Sequence, residues 1–222
     1  MEIIKGIHRI DEASKNPAHA NVYLVINSGK LALVDTGTPG NAQKIIGYVE
    51  WLGYEPSDVK TIILTHHHRD HIGSAKEIKD LTNAQVAASK EDASYISGSK
   101  KQPIPKSARF RADSFFEPVI VDVLLEEGDR VANLTVLQTP GHTPGSIMLV
   151  DEERRVLFAG DTIRYDGEQV SEAPEEYSVD MNLLRKSIVK VSTLSFDVLL
   201  PGHGEPLLTN ASEEVKRNLI RS

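Results

Sequence analysis

The chain has 222 residues, 40% of them hydrophobic and 26% charged, with a formal net charge of −7 and no cysteine. Those values fit one globular domain. They exclude disulfides, thiolate nucleophiles and cysteine-rich zinc knuckles, so any bound metal must be held by nitrogen and oxygen. No stretch reaches the apolar length of a membrane helix, the first residues lack the apolar segment of a secretion signal, and the net charge disfavours nucleic acid, so a cytoplasmic place is expected.

In chain order, strands are expected at 2–10, 20–27 and 31–35, rich in Ile, Val and Leu and broken by turn residues such as Ser28-Gly29, as a meander. A helix over about 40–52 places Ile45, Ile46, Val49 and Leu52 on one face, and Gly53 marks its end. The apolar run 61–64 is a buried strand that delivers the chain into a histidine-rich loop. A helix from Ile72 to about Leu81, a short strand near 84–88 and a helix opened by Ser89, with Asp92 three residues on as a capping pattern, come next. Residues 98–116 combine Lys100, Lys101, Lys106, Arg109 and Arg111 with Phe110, Phe115, Phe116, Pro103 and Pro105, and read as a lid or cleft-edge loop. Strands at 119–125, 131–137, 146–150 and 156–159 make a second meander, its last two joined by the polar turn 151–155. A helix near 180–194, a strand at 197–200 and a helix from Asn210, with Glu213 as capping partner, complete a single α/β domain over 1–222. Strands followed by helices occur twice, without an internal sequence repeat.

The chemistry concentrates in Thr65-His66-His67-His68-Arg69-Asp70-His71. Four metal-ligand types, His66, His68, Asp70 and His71, fall within six residues. A loop leaving a buried strand can aim His66 and His68 to one side and, after the turn, Asp70 and His71 to another, so that two metals sit side by side. Three further candidates each follow a predicted strand beside glycine: His142 in Pro140-Gly141-His142-Thr143-Pro144-Gly145-Ser146, Asp161 in Gly160-Asp161-Thr162, and His203 in Pro201-Gly202-His203-Gly204. Any one alone would read as a capping or core group.

Together with Val34-Asp35-Thr36-Gly37, these motifs resemble the metallo-β-lactamase superfamily over nearly the whole chain. The resemblance implies a four-layer αβ/βα sandwich with a metal cleft at one edge of two sheets. It implies one metal on His66, His68 and His142, another on Asp70, His71 and His203, and Asp161 bridging both. Asp35 corresponds to a residue that supports the ligand loop by hydrogen bonds without binding metal. His67 and Arg69 fill variable positions and read as solvent or packing residues, and His8 and His19 match no motif. Members that use a cysteine ligand, and flavodiiron proteins with Glu at the position of His68, do not fit, and what remains resembles the glyoxalase II and lactonase-like hydrolases.

The expected cofactors are two divalent ions, zinc first, with manganese and iron as alternatives that His and carboxylate ligands also suit. A metal-bridging hydroxide would attack an ester, thioester or lactone carbonyl, with Asp70 or Asp161 relaying the proton. The site charge favours a small, anionic substrate, for which Arg109, Phe110, Arg111 and Tyr165 are candidate contacts. The alternatives are a phosphodiesterase or nuclease, a mononuclear-iron sulfur dioxygenase on the same fold, or a non-catalytic metal-binding scaffold. Monomer and homodimer are both compatible with the sequence.

Overall fold

The computed structural model describes residues 1–10, 19–103 and 116–220. Its first half builds a seven-stranded sheet in simple chain order. Strands β1 (Glu2–Ile4), β2 (Ile7–Arg9), β3 (Tyr23–Asn27) and β4 (Lys30–Val34) pair antiparallel, and β5 (Val59–Leu64), β6 (Gln85–Ser89) and β7 (Val123–Leu125) continue in parallel. The expected single strand over 2–10 is a hairpin, because Gly6 turns the chain at φ +76°. Helices α1 (Ala42–Trp51), α2 (Arg69–Ile72), α3 (Ala75–Thr82) and α4 (Lys90–Ile96) supply the crossovers that parallel pairing requires. The helix expected from Ile72 to about Leu81 is α3, which starts three residues later, and α2, ending at Ile72, lies outside the expected elements.

The second half forms a five-stranded sheet whose strands run, edge to edge, Val198–Pro201, Val156–Gly160, Ile147–Asp151, Leu134–Gln138 and Arg130–Val131. Its strands are β8 (Arg130–Val131), β9 (Leu134–Gln138), β10 (Ile147–Asp151), β11 (Val156–Gly160) and β14 (Val198–Pro201). The run expected as one strand over 131–137 is broken by a two-residue turn in which Ala132 and Asn133 both have positive φ. A hairpin of β12 (Ile163–Tyr165) and β13 (Val170–Glu172), absent from the expected elements, stands beside it. Helices α5 (Met181–Ser192) and α6 (Ala211–Leu219) cover its outer face. Asp180 caps α5 through Leu183 N–H at 2.9 Å. The box expected at α6 does not form, since Asn210 is left-handed at φ +53° and makes no side-chain cap.

Strand alternation sorts the core into three seams, and so the molecule into four layers. In β5, Ile62 and Leu64 face α1 and α3 while Ile63, with Ala32 and Val34 of β4, faces the second sheet, where Val136, Leu149 and Phe158 meet it. Leu157, Ala159 and Leu199 point the other way, onto Leu184, Ile188 and Val215 of α5 and α6. The ends of β4, β5, β9, β11 and β14 come to one edge of this sandwich. Among the described residues no helix is long and apolar enough to cross a membrane.

Candidate metal centre

Just beyond β4, Asp35 takes a φ of +60°, a conformation few side-chain-bearing residues adopt. Its carboxylate accepts from Thr65 N–H and from the Thr65 hydroxyl, both at 2.8 Å, and lies 2.7 Å from His71 Nδ1. One carboxylate thereby grips both ends of the histidine loop and leaves His71 Nε2 directed inward. Thr36 reinforces this by donating its hydroxyl to His71 O at 2.8 Å. The loop leaving β5 presents His66 and His68, and the short α2 then turns Asp70 and His71 inward.

From the second sheet, the turn after β9 brings His142, the end of β11 brings Asp161 and the end of β14 brings His203. Three overlapping groups result: His66, His68 and His142; His66, His71 and Asp161; and Asp70, His71 and His203, the donor atoms of each lying within 4.8 Å of one another. Asp161 reaches both outer groups. Its Oδ1 is 3.1 Å from His71 Nε2, and its Oδ2 is 3.4 Å from His203 Nε2 and 3.6 Å from His142 Nε2. Asp70 Oδ2 lies 2.9 Å from His203 Nε2, and His68 Nδ1 lies 2.9 Å from His142 Nε2. His66 Nε2, His71 Nε2 and Asp161 Oδ1 are buried and lack any aligned hydrogen-bond partner among the described residues. Buried orphans of this kind are costly unless something else takes them.

Charge divides these groups. Burial, then neighbouring imidazoles, holds His66 and His142 well below the ordinary histidine pKa, and His68 falls to about 4 for the same reasons. Burial opposes the charged form of His71 too, but Asp161, Asp35 and Asp70 outweigh it and raise its pKa well above the usual value. Burial would raise Asp161, yet His203, His71 and Arg164 hold it well below the carboxylate range; Asp70 is lowered likewise, by His71 and His203 against burial. Without metal, the surroundings thus disfavour charge on His66, His68 and His142 and favour it on His71, Asp70 and Asp161.

Of the proposed substrate contacts, Arg109, Phe110 and Arg111 lie outside the described residues, as does most of the expected 98–116 loop. At its described start, Gln102 donates to His67 O at 2.8 Å. Tyr165 donates its hydroxyl to Gly167 O at 2.7 Å and its ring joins the core under α5 and α6. Strand alternation turns its neighbour Arg164 the other way, and Arg164 Nη2 meets Asp161 Oδ2 at 2.7 Å. Sequence reasoning missed Arg164 because it belongs to no motif. It also took Asp92 for a cap partner. Ser89 does cap α4 through Asp92 N–H at 3.2 Å, but the Asp92 side chain crosses to the other half of the molecule. His67 is fully buried, its ring against Tyr95 at 4.8 Å, and His8 is a buried strand residue 3.0 Å from the Tyr48 hydroxyl.

A profile described as the Metallo-beta-lactamase superfamily matches residues 16–203. The chain is 29% identical to the probable metallo-hydrolase YflN of Bacillus subtilis, over 93% of itself and 87% of that protein. It is 27% identical to the hydroxyacylglutathione hydrolase GloC of Haemophilus influenzae, over 84% and 85%, and 29% identical to the acyl-coenzyme A thioesterase MBLAC2 of Gallus gallus, over 83% and 72%. It spans less, 59%, of the beta-lactamase-like protein 2 homolog of Caenorhabditis elegans, at 31% identity over 88% of itself. Among solved structures, the subclass B3 metallo-beta-lactamase BJP-1 of Bradyrhizobium japonicum superposes with a TM-score of 0.74 at 28% identity, covering 97% of this chain and 88% of that one. TTHA1623 in a di-iron-bound form gives 0.71 at 26%, over 89% and 93%. The di-zinc class B3 enzyme LRA-12 from an Alaskan soil metagenome gives 0.67 at 26%, over 89% and 75%.

Proposed function

Because the chain belongs to the metallo-beta-lactamase superfamily of metal-dependent hydrolases, we propose that its converging histidines and aspartates hold two divalent ions and serve the hydrolysis of an ester, thioester or lactone carbonyl. The reading rests on one observation above all: Asp161 lies within 3.6 Å of ring nitrogens in both outer donor groups. A carboxylate so placed suits a position between two cations. The donor set fits them, with neutral His66, His68 and His142 offering lone pairs and with buried orphaned atoms at His66, His71 and Asp161. In this reading His66, His68 and His142 hold one ion, Asp70, His71 and His203 the other, zinc or iron alike, and Asp35 orients His71 from behind. The seam shared by the two sheets supports treating 1–222 as one domain.

Two bound divalent cations supply Lewis acidity and a water acidified towards neutrality, which is the chemistry carbonyl hydrolysis needs. The chain's own groups do the rest. Asp70, 27% exposed where Asp161 is 3% exposed, is the carboxylate open enough to take up a proton transiently and relay it to a leaving group. Arg164, partly exposed beside Asp161, adds a permanent positive charge and supports an anionic substrate. Thioesters are the first class to try, given the relatives named for glutathione and coenzyme A thioesters.

The test is elemental analysis of protein purified without added metal, then a panel of thioesters, lactones, esters and phosphodiesters, with each carboxylate-bearing substrate paired with its methyl ester. Two ions per chain, carbonyl hydrolysis and a KM raised by methylation are expected. A single ion in fully loaded protein, or a phosphodiester preference, would overturn the reading.

A further inference from the structure

We propose that Asp92 is a positioning residue whose buried carboxylate fixes the peptide carrying His66 and His68 against the loop carrying His142, so that the three-histidine group closes only while that carboxylate is in place. The inference builds on the two-ion reading above. Asp92 lies in α4, outside every motif, and is fully buried. Its Oδ2 accepts from the backbone N–H of His67 at 2.9 Å and from the Thr143 hydroxyl at 2.8 Å, and its Oδ1 accepts from the Gly145 N–H at 2.8 Å. His67 sits between His66 and His68, and Thr143 follows His142. One side chain from the first sheet's helix thus holds a chain neighbour of each of the three histidines.

The chemistry calls for a carboxylate at this point. Two of the three donors are backbone N–H groups that cannot reverse their polarity, and they approach different oxygens. An amide of the same shape would offer one acceptor oxygen and turn an NH2 group towards the remaining N–H, exchanging a charge-assisted bond for a donor facing a donor. The close approach depends on Gly145 as well, since a Cβ there would fall against Ser89 Oγ and within 2.7 Å of Asp92 Oδ1. His67 Nδ1 is also 2.9 Å from Asp92 Oδ2 but lacks hydrogen-bond alignment, so the backbone bond is the one that fixes the loop. Gln102 grips the next peptide group, donating to the carbonyl of His67. The His68–His142 contact at 2.9 Å is what these bonds hold closed.

The experiment is cobalt(II) titration of metal-free protein, followed by visible absorption, for wild type, Asp92→Asn, Thr143→Val and Thr143→Ser, with circular dichroism melting of the same metal-free proteins. Asp92→Asn should lose the absorption of one of two cobalt ions. Thr143→Val should weaken one binding step at least tenfold, and Thr143→Ser, which keeps the hydroxyl, should restore it. The wild-type titration tests the two-ion reading by itself, whereas the clamp is tested by each variant against whatever the wild type binds. Should Asp92→Asn fail to fold, the Thr143 pair decides. Equal cobalt binding by Thr143→Val and Thr143→Ser, or an unchanged spectrum in a folded Asp92→Asn, overturns the proposal.

Discussion

His71 and His68 stand three residues apart in the chain, yet a proton finds them very different. With His71 raised well above the usual value by the carboxylates around it, a proton competes for its ring up through neutral pH. With His68 lowered to about 4, a proton competes there only in acid. A metal ion needs the deprotonated ring in both cases, so binding at the Asp70, His71 and His203 group must release a proton that binding at His66, His68 and His142 need not. Metal affinity at the first group should therefore fall sooner as pH falls. Stepwise dialysis from about pH 8 to about pH 4, with metal content read at each step, should show one ion leaving first and the second holding until near the His68 value. Joint loss in a single step would contradict the assignment. Asp161→Ala should narrow this staging, because it removes the carboxylate that faces His71, His142 and His203 together while Asp35 and Asp70 still hold His71 up.

At the scale of elements, strand ends decide where donors stand, and small residues let them stand close. A Cβ on Gly202, just past β14, would fall against the Asp161 carboxylate and 2.7 Å from His71 Cε1. Gly202→Ala should lower metal content with little change in secondary structure. Gly47→Ala is its counterpart: exposed in the middle of α1 with open space around it, it should raise stability by about 0.5–1 kcal/mol and leave metal content unchanged. Metal analysis and thermal melting of the two variants check both.

What the sequence made legible follows the same division. The buried strand β5, the apolar face of α1 and the dense histidine loop all write their roles locally, in period or spacing. The two-residue turn at Ala132-Asn133 does not, since Ala there gives no warning of a positive φ. The β12–β13 hairpin had a signal in Asp166-Gly167, and Asp166 Oδ1 does accept from Glu168 and Gln169 N–H, but three-residue strands are too short to show alternation. Asp92 and Arg164 were illegible for a different reason. Asp92 meets Thr143 across 51 residues of sequence, and Arg164 matters only because a strand turns its side chain towards Asp161.

For the whole molecule, the decisive fact is that each sheet supplies part of every candidate metal-holding set. His66, His68, Asp70 and His71 hang from the first sheet, and His142, Asp161 and His203 from the second. Bound ions would favour the docked sheets over any state in which the layers part. An ion present at a thousand times its Kd contributes about 4 kcal/mol. Exhaustive chelation should accordingly lower the melting temperature by about 10 °C or more, reversibly on adding metal back. A chelated protein that melts with the loaded one would mean that the layers are held by their apolar seam alone.

The absence of cysteine gives this arrangement a further meaning. Nothing covalent ties residue 66 to residue 203, and a disulfide closing a loop of that length would be worth about 4–5 kcal/mol. Ions shared across the sheets would act as a staple of similar strength that holds no sulfur–sulfur bond for a thiol to reduce or exchange. The lifetime of this protein should then follow the supply of metal around it and take no notice of the thiol balance.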